Sequence, residues 1–217
     1  MTRSDYTSQL RQIHDDLLML GSMVEKSLIK AIDALRHRDL EASKSVIDDD
    51  DVIDQFQQIL EEKCVDVIAL QAPMASDLRR IVTVIQVASE LERIGDYAEG
   101  IAKISVRMGG QPTIKPLLDI PRMAETVASM LRDGLGALTL LDVELAEQVA
   151  DTDDSIDSLY EQVFRELSSF MVENPANIQS ATYLIWIAHL LERIGDRSTN
   201  IAERAVYLAT GKMKHFR

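Results

Sequence analysis

The sequence has few of the residues that most often mark covalent bracing or catalytic chemistry. Its 217 residues include one cysteine, Cys64, so no internal disulfide framework can form, and a lone thiol fits a reducing cytosol. There are only five prolines and nine glycines, which leaves long stretches free to be helical. The four histidines, His14, His37, His189 and His215, form no Glu-x-x-His pair of the kind used by ferritin-like di-iron bundles. No run approaches the roughly 18 apolar residues of a membrane span, so direct insertion into a bilayer is not expected. The opening Met-Thr-Arg-Ser-Asp-Tyr has no apolar stretch and is not expected to act as a secretory signal. Basic residues are the minority, 23 against 36 acidic ones, for a net charge of -13. That field repels nucleic acid and anionic lipid, and it repels phosphate too unless a cation or a local Arg cluster intervenes. No Gly-rich phosphate loop, Ser-His-Asp order or Cys-x-x-Cys occurs, and no catalytic residue is assigned.

What remains is a hydrophobic content of 46% with strong helical patterning. Leu17, Leu20, Val24, Leu28, Ala31 and Leu35 recur in steps of three and four. Ile53, Phe56, Leu60, Cys64, Val67 and Ile68 continue the pattern, as do Val84, Val87, Ala88, Leu91, Ile94, Ala98, Ile101 and Ala102. Such steps place one apolar stripe on one helix face, and strand-like alternation is not sustained anywhere. The fold expected is all-α. Pro73 and Pro175 stand singly, while Pro112, Pro116 and Pro121 cluster near Gly109 and Gly110, so Met108 to Pro121 reads as the linker. Asp39 and the Asn174-Pro175 pair are capping signals. Six helices follow, over 4–38, 39–71, 74–108, 119–140, 142–173 and 176–210, and short connections make neighbours antiparallel. Trp186 and Tyr183 are expected in the core, and the basic C-terminal Lys-Met-Lys-His-Phe-Arg is expected to fray.

The two halves repeat. Residues 90–102 and 190–202 are identical at eight of 13 positions, including Leu-Glu-Arg-Ile-Gly-Asp at 91–96 and 191–196. Asp50-Asp51-Val52-Ile53-Asp54 matches Asp153-Asp154-Ser155-Ile156-Asp157, and Asp39 matches Asp142. The chain is a tandem duplication of a three-helix unit, with a first bundle over 1–110 and a second over 117–212.

The repeated residues are mostly acids. Asp50 with Asp54 and Glu92 with Asp96 are i, i+4 pairs, as are Asp153 with Asp157 and Glu192 with Asp196, so each pair stacks on one helix face. If the two helices of each half pack side by side, four carboxylates share one seam. Unit charges about 6 Å apart repel by roughly 3 kcal/mol at an effective dielectric near 20. Arg93 and Arg193 offer partial compensation; a multivalent cation bound by several carboxylates offers more. The donors are hard oxygens, which favours magnesium, calcium, manganese or ferric iron; zinc is less expected, though carboxylates bind it. The alternative is that such acid pairs are ordinary solvated helix faces. Gly95 and Gly195, each costing about 1 kcal/mol against alanine inside a helix, point to close approach of a neighbouring helix or ligand, or to an inherited packing contact.

With Leu91-Glu-Arg-Ile-Gly-Asp96, Leu191-Glu-Arg-Ile-Gly-Asp196 and the following Asn200-Ile-Ala-Glu203, the chain resembles the PhoU family of phosphate-signalling proteins over nearly its whole length. The resemblance implies two three-helix bundles related by a pseudo-two-fold, with multinuclear metal clusters held by the acid pairs. It also implies Asn200 as a further ligand. The first half has Gly100 where the family usually has Asn, with Glu99 beside it as a substitute oxygen donor. The role implied is that of a cytoplasmic negative regulator of phosphate uptake and the phosphate-starvation response. The partners implied are the ATPase subunit of the phosphate ABC transporter and a sensor histidine kinase; a homodimer is a further state it allows. The expected protein is thus a non-enzymatic, metal-binding adaptor. The alternatives are a phosphate-ester hydrolase using carboxylate-bound cations and a purely structural bundle.

Overall fold

The computed structural model describes residues 3–110 and 113–216. Gln111 and Pro112 of the expected linker, and Arg217 of the tail, lie outside the described residues. Six helices follow the apolar stripes: α1 (Arg3–His37), α2 (Leu40–Gln71), α3 (Ala75–Met108), α4 (Asp119–Leu140), α5 (Val143–Glu173) and α6 (Ile178–Thr210). Two of their starts are set by the same device. Asp39 accepts a hydrogen bond from the Ala42 amide at 2.9 Å, and Asp142 accepts one from Leu145 at 3.0 Å. Each thereby occupies an otherwise unpaired donor of the first turn. The residue before each cap, Arg38 and Leu141, is left-handed at φ 57° and 56°, so the chain reverses within two residues. Asn174 behaves differently from the expectation. It caps a single 3₁₀ turn, Pro175–Asn177, and α6 starts only at Ile178.

α1, α2 and α3 pack on one another, and α4, α5 and α6 do the same. The two sets join where α3 lies against α6 and α1 against α4, and the apolar core runs without a break through both. Every residue of the α1 and α3 stripes named above is buried, as are Ile53, Leu60, Cys64 and Val67 of α2. Phe56 and Ile68 are half-buried.

Two expectations about packing are corrected. Trp186 is 47% exposed. It lies two residues from Leu184, about 200° around the helix, whereas Leu184, Ile187, Ala188 and Leu191 face inward; it is edge-on to the half-buried Tyr183. The described part of the C-terminal segment, residues 212–216, is held against the bundle. The Phe216 amide donates to Glu203 Oε1 at 2.7 Å, the His215 ring lies 3.1 Å from Glu203 Oε2, and Lys214 pairs with Glu147 on α5. Glu203 is only 8% exposed, and a buried carboxylate needs such donors.

Cys64 sits wholly inside the first half. Burial pushes its thiol up to about 12, and Glu61 and Asp16 push it in the same direction. A thiol held protonated and out of reach is inert. A maleimide reagent should leave the native protein unlabelled while labelling it fully in denaturant; ready labelling of the native form would contradict this packing.

Candidate functional site

In the first half, α2 and α3 lie alongside each other and bring their acids to a common seam. Asp50 and Asp54 come from α2 and Asp96 from α3; each offers one oxygen, and these atoms all lie within 4.8 Å of one another. Asp50 is 6% exposed. One oxygen each of Asp50 and Asp54 is buried without a hydrogen-bond partner among the described residues. Such a group costs about 1–3 kcal/mol, more when charged, unless a proton or cation reaches it. Burial is the first cause that drives Asp50 up to about 7, followed by repulsion from Glu99, Asp54 and Asp96, with Lys103 opposing. Burial, with Asp96 and Asp54, likewise raises Glu92, and burial, with Asp54 and Glu99, raises Asp96.

The repeated glycine explains how α2 comes so close. A Cβ on Gly95 would stand 3.3 Å from Asp50 Oδ1 and 3.3 Å from Ile53 Cγ2; one on Gly195 would stand 2.7 Å from Asp153 Oδ1. In both halves the missing side chain is the space in which the second helix seats its aspartate. Both glycines stand where the neighbouring helix comes close, the contact that either of their two readings requires.

The second half repeats the arrangement with a looser closure. Asp153 is pushed up to about 6 by burial, with Asp196, Asp157 and Asp154 adding and the Thr199 hydroxyl opposing. Burial also raises Asp157 and Glu192, each with help from Asp196. Asp153 Oδ1 and Glu192 Oε2 are buried without a hydrogen-bond partner. Arg93 opposes the repulsion on Glu92 and Asp96 in the first half; here Arg193 does so by direct pairing, its Nη1 bonded to Asp196 Oδ2 at 3.1 Å and its Nε 3.5 Å from Glu192. Among the described residues, only the first-half trio brings three ligand oxygens within 4.8 Å.

Asn200 is the residue that the geometry places elsewhere. Its amide donates to Glu90 Oε2 on α3 at 3.3 Å, beside Arg197, which pairs with the same oxygen at 3.2 Å. Each four-residue step turns about 40° around a helix. By position 200 this has carried the side chain from the α5 seam to the contact between halves, and Thr199 takes the place next to Asp153. The corresponding residue of the first half, Glu99, faces Asp50 and is paired with Lys103. Gly100, the counterpart of Asn200, lies in the same contact, where a Cβ would meet Leu190 at 3.1 Å. Sequence reasoning misses the pairing of Glu90 with Arg197 and Asn200, because nothing local marks residues that meet across two halves.

These donors suit a hard multivalent cation: all are oxygens, several are buried, and Asp50, Asp54, Asp153 and Glu192 each keep one oxygen without a hydrogen bond. The residues that would hold it are Asp50, Asp54, Glu92 and Asp96 in the first half and Asp153, Asp157, Glu192 and Asp196 in the second. When bound, a cation supplies the positive charge that the seam lacks. At the second seam the His189 ring also stands close, its Nδ1 3.5 Å from Glu192 Oε2, and burial, with Arg193 helping and Asp196 opposing, lowers its pKa.

The comparisons with known proteins agree with this architecture. The PhoU domain model matches twice, at residues 17–105 and 120–205. A "phosphate-specific transport system accessory protein PhoU homolog" from Clostridium acetobutylicum is 38% identical over 98% of this chain and 97% of its own, and one from Aquifex aeolicus is 36% identical over 95% and 94%. The crystal structure of PhoU from Pseudomonas aeruginosa superposes with a TM-score of 0.91 at 33% identity, covering 95% of this chain and all of that one. The phosphate transport system regulatory protein PhoU from Streptococcus pneumoniae gives 0.90 at 32% identity, over 97% and 99%. A doubled motif, two sets of three helices and full-length similarity together show that the chain belongs to the PhoU family.

Proposed function

We propose that this protein is a regulatory accessory of a phosphate transport system and that it acts as a non-enzymatic, metal-binding adaptor. In this reading it restrains phosphate uptake and the phosphate-starvation response from the cytoplasmic side, between the transporter's ATPase subunit and a sensor histidine kinase. The observation that supports the metal part is the convergence of Asp50, Asp54 and Asp96, with one buried oxygen each of Asp50 and Asp54 left without a hydrogen-bond partner among the described residues. The printed names of the relatives, accessory and regulatory proteins of phosphate transport, support the regulatory part. Among the described residues no helix is long and apolar enough to cross a membrane, and in this reading contact with the transporter runs through protein faces. Long amphipathic helices are suited to such docking.

The test is complementation. Deleting the gene should raise phosphate-responsive expression in phosphate-rich medium, the parent gene should restore repression, and an Asp50→Asn, Asp54→Asn, Asp96→Asn gene should fail to do so at equal protein level. Unchanged expression on deletion would refute the regulatory reading. Full repression by the triple variant would separate regulation from the seam. Turnover of a generic phosphate ester that vanishes in the triple variant would favour the hydrolase instead.

A further inference from the structure

Away from both seams, a cavity of about 380 Å³ opens where the start of α1 and the start of α3 meet the ends of α4 and α6. It therefore lies between the two halves. Its inner wall is apolar, with Ile13, Ile81, Val84 and Leu138 all buried. Thr83 stands in the same wall, 1% exposed, and its hydroxyl has no hydrogen-bond partner. Native interiors rarely leave such a group unpaired; it lies sealed just behind the wall, so a ligand meets it by displacing a lining side chain.

The solvent side of the cavity is basic. Arg11 and Arg80 line it, both exposed, and neither has an ion-pair partner among the described residues. His14 lines it as well, and Asp15 is the one acid among the described lining residues. In a chain of net charge -13, two guanidinium groups set against Asp15 in one hollow form a local reversal of sign, and guanidinium is the side chain best matched to phosphate oxygens.

The three features select a ligand together. An aliphatic acid would fill the apolar wall and meet the arginines but leave Thr83 unpaired. Inorganic phosphate would meet the arginines and leave the wall to water. A flat heteroaromatic ring offers apolar faces and a polar edge at once, and the volume falls within the roughly 300–1,000 Å³ of small-molecule sites. We propose that this cavity binds a small heteroaromatic organic phosphate of the size of a nucleoside monophosphate, its ring inward against Thr83 and its phosphate outward at Arg11 and Arg80.

The test is titration calorimetry on the full chain with a chelator present, using the four common nucleoside 5′-monophosphates, inorganic phosphate and decanoate as separate probes. At least one nucleotide should bind with a Kd below about 1 mM. Arg11→Glu and Arg80→Glu, both at exposed positions, should each weaken it at least about tenfold. Thr83→Val should weaken it severalfold, and Asp15→Asn should tighten it. Asp96→Asn, at the seam, should leave it unchanged, which separates this site from the metal reading. Absence of binding by all four nucleotides would overturn the proposal. So would equal binding of inorganic phosphate or decanoate, loss of binding in Asp96→Asn, or unchanged affinity in both arginine variants. Should Thr83→Val fail to fold by circular dichroism, the two arginine variants decide alone.

Discussion

Replacing Asp50 by Asn makes the metal-free protein more stable at pH 8, by on the order of 2 kcal/mol, and removes most of the stabilisation that divalent cations confer. The reason lies in where Asp50 titrates. Its ordinary value is 3.8, and in the folded protein it is driven up to about 7. The folded state therefore holds the proton more tightly than the unfolded one between those two values. The contribution of Asp50 to stability is greatest below about pH 4, declines as pH rises, and reaches its full penalty above pH 7. A tenfold difference in proton affinity between the two states corresponds to about 1.4 kcal/mol, so the span at this one residue is about 4 kcal/mol at most. The amide keeps part of the burial cost, which brings the expected gain to about half of that. Asp153, driven to about 6, gives a second, smaller slope of the same sign. Unfolding measured in chelator should thus show the parent losing stability from pH 5 to pH 8, and manganese should restore it at pH 8 through preferential binding to the folded form. Equal stability at both pH values, with no response to manganese, would make these acids ordinary surface charge.

Alanine at Gly195 should weaken metal binding in the second half by about tenfold or more, while alanine at Gly95 has a far smaller effect on the first. The contrast follows from two distances. A Cβ at 195 falls 2.7 Å from Asp153 Oδ1, closer than real contacts allow, whereas at 95 the nearest atoms are at 3.3 Å. The carboxylate of Asp153 has to swing away in the first case, and displacing a ligand or its support typically costs about 10–100-fold in affinity. In the second case Asp50 and Ile53 need to give by only a few tenths of an ångström. Stability should move little at either position, because alanine returns about 1 kcal/mol of helix propensity against the crowding. Metal content per half, read from anomalous scattering of soaked crystals of each variant, distinguishes the sites. Equal loss at both would show that the glycines support packing in general and not the seating of these aspartates.

Much of this molecule is written locally. The apolar steps of α1 and α3 place every stripe residue inside because a helix repeats its faces every 3.6 residues whatever surrounds it. Asp39 and Asp142 start their helices through bonds to amides three residues away, and the four-residue spacing of the acids puts each pair on one face. These are short-range consequences of covalent geometry, so six helices, the duplication and the acid pairs can be read along the chain. What lies between helices depends on how the rods rotate and slide against one another, and no single segment encodes that. Asn200, one turn beyond Asp196, is implied as a further ligand by the family resemblance, yet the packing of α6 on α3 pairs it with Glu90. Trp186 is apolar enough for a core and lies off the face that packing selects. The tail is polar, but Glu203, buried by the same packing, draws its amide and ring nitrogens inward. The tighter gathering of Asp50, Asp54 and Asp96, set against the Arg193-bound acids of the second half, is settled the same way. Two copies of one motif share their periodicity, but each meets different neighbours once the halves are folded together.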